Sequence, residues 1–136
     1  MIRYNRDFDP AFSNVEDGIR GLALGEDGLT LLVLGDGDRK FHGRGTIRHL
    51  GDFAGQCRYA YDKIKRLLAA HGATMNDVVK VVTYVTDVRN LPEAGKCRTE
   101  ALGGAPQPVH TFLNINQLAW PGMLVEVDVT AITGAP

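Results

Sequence analysis

Apolar and polar positions along the chain fall into regular blocks separated by glycine-rich punctuation. Residues 19–25 (IRGLALG) and 29–35 (LTLLVLG) read as two strands joined through Glu26-Asp27-Gly28, which carries an Asp-Gly turn signal. The second of these is apolar at nearly every position, so both of its faces are expected to be covered. Over 53–71, Phe53, Cys57, Ala60, Ile64 and Leu67 recur at three-to-four spacing, the stripe of an amphipathic helix. Asp52 is placed to cap its start and Gly72 to end it. Residues 78–86 (VVKVVTYVT) are rich in β-branched side chains and read as a third strand. Residues 91–102 suggest a second helix, with Pro92 in its first turn and Gly103-Gly104-Ala105-Pro106 ending it. Residues 108–116 alternate and 123–132 alternate strictly, giving a fourth and a fifth strand. Between them, Gln117 to Gly122 is a turn containing Trp120-Pro121. Residues 1–18 have no clean period and read as an irregular arm, and residues 36–52 as a long, polar, glycine-rich loop of the kind that often carries function.

The order ββαβαββ predicts an α+β fold, one domain over residues 1–136, with both helices on one face of a mixed sheet. The helix at 53–71 joins the second and third strands, which are therefore expected to be parallel neighbours with a right-handed crossover. So short a chain has nothing left to cover the other sheet face, and self-association is the natural solution.

Composition narrows the function classes. Lys and Arg number 15 against 16 Asp and Glu, a formal net charge of −1, so nothing in the charge balance attracts nucleic acid or an anionic membrane. No apolar run approaches the ~20 residues of a membrane span, and the N-terminus is polar, without a signal-peptide core. Cys57 and Cys97 are too few and too isolated for a disulfide framework or a zinc knuckle, which points to a cytoplasmic protein with reduced thiols. Cys57 is expected in the core and Cys97 to be an inert or partly exposed thiol.

Two segments, AGQCRYAYDKIKRLLAAHGATMNDVVKVVTYVTDVRNLP and MLVEVDVTAI, resemble the RidA/YjgF family of reactive-intermediate deaminases, a resemblance that covers roughly residues 19–132. It implies a chorismate-mutase-like fold, a homotrimer with sites in clefts between subunits, and hydrolysis of small imines or enamines without a cofactor. Glu126 falls where the family's water-orienting Glu sits. The chain departs from the family at Pro108-Val109-His110-Thr111, where relatives carry an Arg that grips the substrate carboxylate and this chain carries His110. Phe112 replaces a common Cys, Leu34-Gly35 replaces a Ser-Gly, and the family's N-terminal Tyr has no secure match. The substrate is accordingly expected to differ from the simple α-imino acids of Arg-bearing relatives.

The candidate residues each have a plain and a chemical reading. Glu126 is either a solvated strand acid or the carboxylate that holds and partly deprotonates the attacking water. Asp128, on the same face, is either a second solvated acid or a like charge that raises a neighbouring pKa. His110 is either a satisfied interface histidine or a donor and proton shuttle sharing a ligand with Glu126, though it cannot reproduce the fork of an Arg. Thr111 and Phe112 follow it along the strand and are expected to contact the substrate. Trp120 either braces its turn or, with Phe112, walls the cleft around Glu126. Gly35 would act through its backbone. Arg44, or Arg39 or Arg48, either belongs to a solvated loop or restores the lost anion grip. His42, His49, Asp36 and Asp38 lack regular ligand spacing, so no metal is expected. The partner is then a small molecule, with no nucleic acid and no membrane; the alternative is a non-catalytic trimer that binds a metabolite or a protein partner.

Overall fold

A computed structural model describes residues 46–133 and the backbone of four strand segments before them. The strands are β1 (Arg3–Tyr4), β2 (Leu22–Leu24), β3 (Thr30–Gly35), β4 (Arg39–Lys40), β5 (Thr46–Ile47), β6 (Val78–Val85), β7 (Val109–Asn114) and β8 (Val125–Ile132). The helices are α1 (Phe53–Ala70) and α2 (Leu91–Leu102).

Helix α1 starts where Asp52 accepts a hydrogen bond from the Gly55 N–H at 3.0 Å. It ends where Gly72 turns to φ +70° and the Ala73 N–H reaches back to the Leu68 carbonyl at 2.9 Å. The expected stripe is buried, together with Gln56, Tyr61, Lys63 and Leu68. Helix α2 has Pro92 near its start, ends at a left-handed Gly103, and buries Ala94, Cys97, Ala101 and Leu102 in the same core. Both helices therefore pack on one face of the sheet.

The main sheet runs β1-β2-β3-β8-β6-β7, antiparallel except for the β6–β7 pair. The α+β class and the two helices stand as the pattern predicts. The expected pairing of the second and third strands does not, because β8 lies between β3 and β6 and is antiparallel to both. Those two strands do run parallel, one strand apart, and the parallel neighbours are β6 and β7, joined by α2. The C-terminal strand can take that place because it must be buried on the helix side along its whole length. Val125, Val127, Val129 and Ala131 are all fully buried, and each such valine is worth roughly 1.5–3 kcal/mol over exposure. Two segments read as irregular also differ: β1 pairs with β2, and the 36–52 segment contains the β4–β5 ladder, in which Arg39 faces Ile47. The covering of β3 on both faces falls on side chains outside the described residues.

The expectation of reduced, separate thiols is overturned: Cys57 of α1 and Cys97 of α2 form a disulfide. Spacing hid the pair, since 40 residues separate them in sequence. Packing explains it, because the buried stripes of the two helices meet where these cysteines stand. Closing a loop of about 40 residues restricts the unfolded chain by up to ~4 kcal/mol in the chain-entropy view. Urea unfolding with and without reductant should differ by about 2–4 kcal/mol, the reduced chain being less stable. Identical midpoints would mean that the bond does not form in solution.

Candidate functional site

Strand β8 divides the chemistry between two faces. Its residues 125, 127, 129 and 131 point into the helix-side core, so Glu126, Asp128 and Thr130 project from the other face. The register across β6 sets Glu126 opposite Tyr84 and Asp128 opposite Val82, and the register from β6 to β7 sets Tyr84 beside Leu113 and Val82 beside Thr111. No described helix covers this face. Val109, Leu113 and Ile132 lie on it with 68%, 42% and 43% of their surface exposed. Partial burial raises the Asp128 carboxyl above its ordinary range, an effect that Lys80 opposes. Ionising Asp128 therefore costs stability, and that cost grows as pH rises through its folded pKa.

The helix side holds a second polar group. Thr83 is buried on β6 among Val81 and Val85, and its hydroxyl lies 2.9 Å from His110 Nε2. The His110 ring is tilted against Phe112 at 6.4 Å between centroids, and Phe112 packs on the core. Tyr61 of α1 is pushed up to about 12, mainly by burial, with Arg98 and the nearby Thr83 hydroxyl working the other way. Even so, among the described residues no partner meets the Tyr61 hydroxyl at hydrogen-bond geometry. Burial, and then the Arg98 charge, lower the His110 pKa below 6.5, so the imidazole is neutral at pH 7.

Within one chain, then, His110 and Phe112 stand on the helix side and Glu126 on the open side. The expected arrangement, with Phe112 walling Glu126 and His110 reaching the same ligand, is not formed by a single chain. The cause is strand alternation: 110 and 112 share the face of Val81 and Thr83, whereas 126 shares that of Tyr84. Thr111 is on the open face. Trp120 is half-buried, and its carbonyl accepts from the Met123 N–H in the turn before β8. The backbone of Gly35 pairs with Val127. Arg48 stacks on Tyr59 at 4.8 Å. Arg44, His42, Asp36, Asp38 and the side chain of Arg39 lie outside the described residues. Among the described residues no cluster of His, Cys, Asp or Glu could hold a metal. A cleft of about 490 Å³ between the C-terminal ends of the helices, lined by Lys65, Thr74, Met75 and Leu102 among others, contains none of the candidates.

The residues that sequence reasoning missed are Tyr61, Thr83 and Arg98. Thr83 left a signal, as the one hydroxyl among the buried positions 81, 83 and 85. Arg98 left none, because helix periodicity alone does not reveal which neighbour it meets.

The family model described as Endoribonuclease L-PSP matches residues 40–133. A Mycobacterium tuberculosis protein of the YjgF/YER057c/UK114 family has a solved structure that is 30% identical, with a TM-score of 0.65 over 82% of this chain and 84% of that one. The chain belongs to the RidA/YjgF family. The RutC family protein YjgH of Escherichia coli (strain K12) is 32% identical over 81 residues, 59% of this chain and 60% of that protein. The match to the RutC family protein PH0854 of Pyrococcus horikoshii covers 63% of that protein, so the chain spans about six tenths of the curated relatives' length. E. coli TdcF, solved with bound serine, shares the RidA/YjgF fold at a TM-score of 0.69 and 17% identity, over 81% of this chain and 85% of that one. None of the described helices is long and apolar enough to cross a membrane.

The lowered pKa of His110 has a measurable sign. The folded state resists protonating this group, so its contribution to stability is present above pH 6.5 and is lost as pH falls from there towards the folded pKa. NMR titration should place the His110 midpoint below 6.5, and Arg98→Gln should move it part of the way back up. A midpoint above 6.5 in the native chain would contradict the buried, Arg98-facing environment.

Proposed function

We propose that the open sheet face becomes the inner wall of a closed homotrimer, and that Glu126 there orients the water that hydrolyses a small imine or enamine. The observation that carries this reading is the placement of Glu126 and Asp128. They alternate with fully buried valines on an interior strand, on a face that no described helix covers and that exposes Val109, Leu113 and Ile132. Apolar surface of that kind favours association, and a cleft closed by a neighbour would desolvate Glu126 and strengthen it as a base.

The step is simple in its balance. Water adds to the carbon of the C=N bond while Glu126 takes one of its protons. The nitrogen is protonated and leaves as ammonia, and a carbonyl forms. In a closed ring, the edge strand β7 of one chain can run beside the open face of the next. That is how a helix-side His110 and an open-side Glu126 from two chains would come to face one ligand. His110, neutral at pH 7, would then act as a hydrogen-bond donor rather than as a carboxylate clamp.

One observation favours a second reading, a trimer that binds a small metabolite without turning it over. The position that carries an Arg in relatives holds an uncharged imidazole already engaged by Thr83, and the relative TdcF was solved with serine bound.

Glu126→Gln keeps the side-chain shape and removes the base. On freshly generated imines it should slow the chemical step by about 10²–10⁴-fold while ligand binding persists. Full activity in this variant would make the carboxylate structural. Ligand binding without turnover in the native protein would establish the metabolite-binding reading instead.

A further inference from the structure

The two helices are anchored very unequally. Helix α1 packs closely on β3 and β8, whereas α2 approaches most closely α1 itself and the short turns Met75–Asp77 and Val88–Asn90. Of the side chains that α2 buries, Ala94, Cys97, Ala101 and Leu102, only Leu102 is large. Helix α1 buries Phe53, Tyr61, Ile64, Leu67 and Leu68, and so gains far more from apolar burial. The sequence of α2 adds little of its own. Gly95 stands in its interior, where glycine weakens a helix, and among the described residues no side chain caps its first turn. Leu91 at its start is exposed. With only 12 residues, such a helix is marginal alone.

Two side-chain ties run from α2 to α1. One is the Arg58–Glu100 pair at 3.4 Å, exposed on both sides and therefore weak. The other is the Cys57–Cys97 disulfide, a covalent bond placed at the contact that carries α2. Beyond Leu102 the chain passes directly into β7, the outermost strand, paired with β6. Phe112 of β7 packs on the core to which α2 contributes, and His110 is half-buried on the same side.

We propose that the Cys57–Cys97 bond is a redox-operated latch on α2: a dithiol reductant opens it, α2 loosens from α1, and the helix side of β7, with His110, is uncovered. A thiolate of the reductant attacks one of the two sulfurs, and its second thiol then resolves the mixed disulfide. Cys57 and Cys97 take up two electrons and two protons and become thiols, and the reductant leaves as its own disulfide. Both cysteines are buried, at 1% and 4% exposed, so the attack follows a local opening of α2. The rest of the chain keeps its fold, because α1 retains its packing on β3 and β8 and buried thiols behave as small apolar groups.

The test is hydrogen exchange of the native protein at neutral pH, oxidised and after treatment with dithiothreitol. Reduction should speed exchange of the α2 and β7 amides at least about tenfold, and those of α1, β6 and β8 by less than about threefold. Removing the reductant and adding an oxidised dithiol should restore the slow pattern. A double variant, Cys57→Ser with Cys97→Ser, should exchange like the reduced chain and ignore dithiothreitol. The proposal is overturned if α2 exchanges equally fast in both states, if α1, β6 and β8 speed up as much as α2, or if the double variant still responds to the reductant. It is overturned equally if alkylation of the unreduced, denatured chain finds two free thiols. Imine turnover plays no part in the readout, so this inference and the hydrolytic reading of Glu126 fail separately.

Discussion

The register of β8 is the constraint on which the rest of the structure depends. A slip of one residue would turn four buried side chains to the open face and drive Glu126, Asp128 and Thr130 into the helix-side core. The side chain of Gln56 guards against it. That amide is completely buried in α1, donates to the carbonyls of His49 at 3.1 Å and Gly122 at 2.9 Å, and accepts from the Leu124 N–H at 2.8 Å. One side chain thus ties the segment before α1, the turn after Trp120 and the residue just before β8 to the first helix. Gly122 completes the fit. Its φ is +92°, and a Cβ there would meet Leu50 at 2.7 Å.

Much of this was legible in the chain. The strict alternation of MLVEVDVTAI identified a strand with one wet and one dry face, and the stripe through Cys57, Ala60, Ile64 and Leu67 identified the helix that dries it. Which strands become neighbours was not legible, because local periodicity carries no information about pairing partners. Hence β8 was not foreseen between β3 and β6. The Cys57–Cys97 bond was hidden for the same reason: a disulfide is a fact about two packed helices, and the sequence presents only two distant thiols.

The candidate site divides along the same line. Glu126 was found by motif, and strand alternation then puts it on the open face. His110 was also found by motif, but its surroundings were not, because the Thr83 hydroxyl that meets it and the Arg98 charge that acts on it come from other elements, β6 and α2. Partial burial and the Arg98 charge disfavour the imidazolium and make this histidine a poor substitute for an arginine clamp.

The account turns on whether the open sheet face finds its cover in copies of the same chain, since only that would place Glu126 in a cleft. Light scattering coupled to size exclusion, in dilute buffer at neutral pH, measures this directly. With a chain mass of 14.8 kDa, the account predicts a particle of three times that mass. A stable particle of 14.8 kDa would leave Glu126 on an open surface and contradict it.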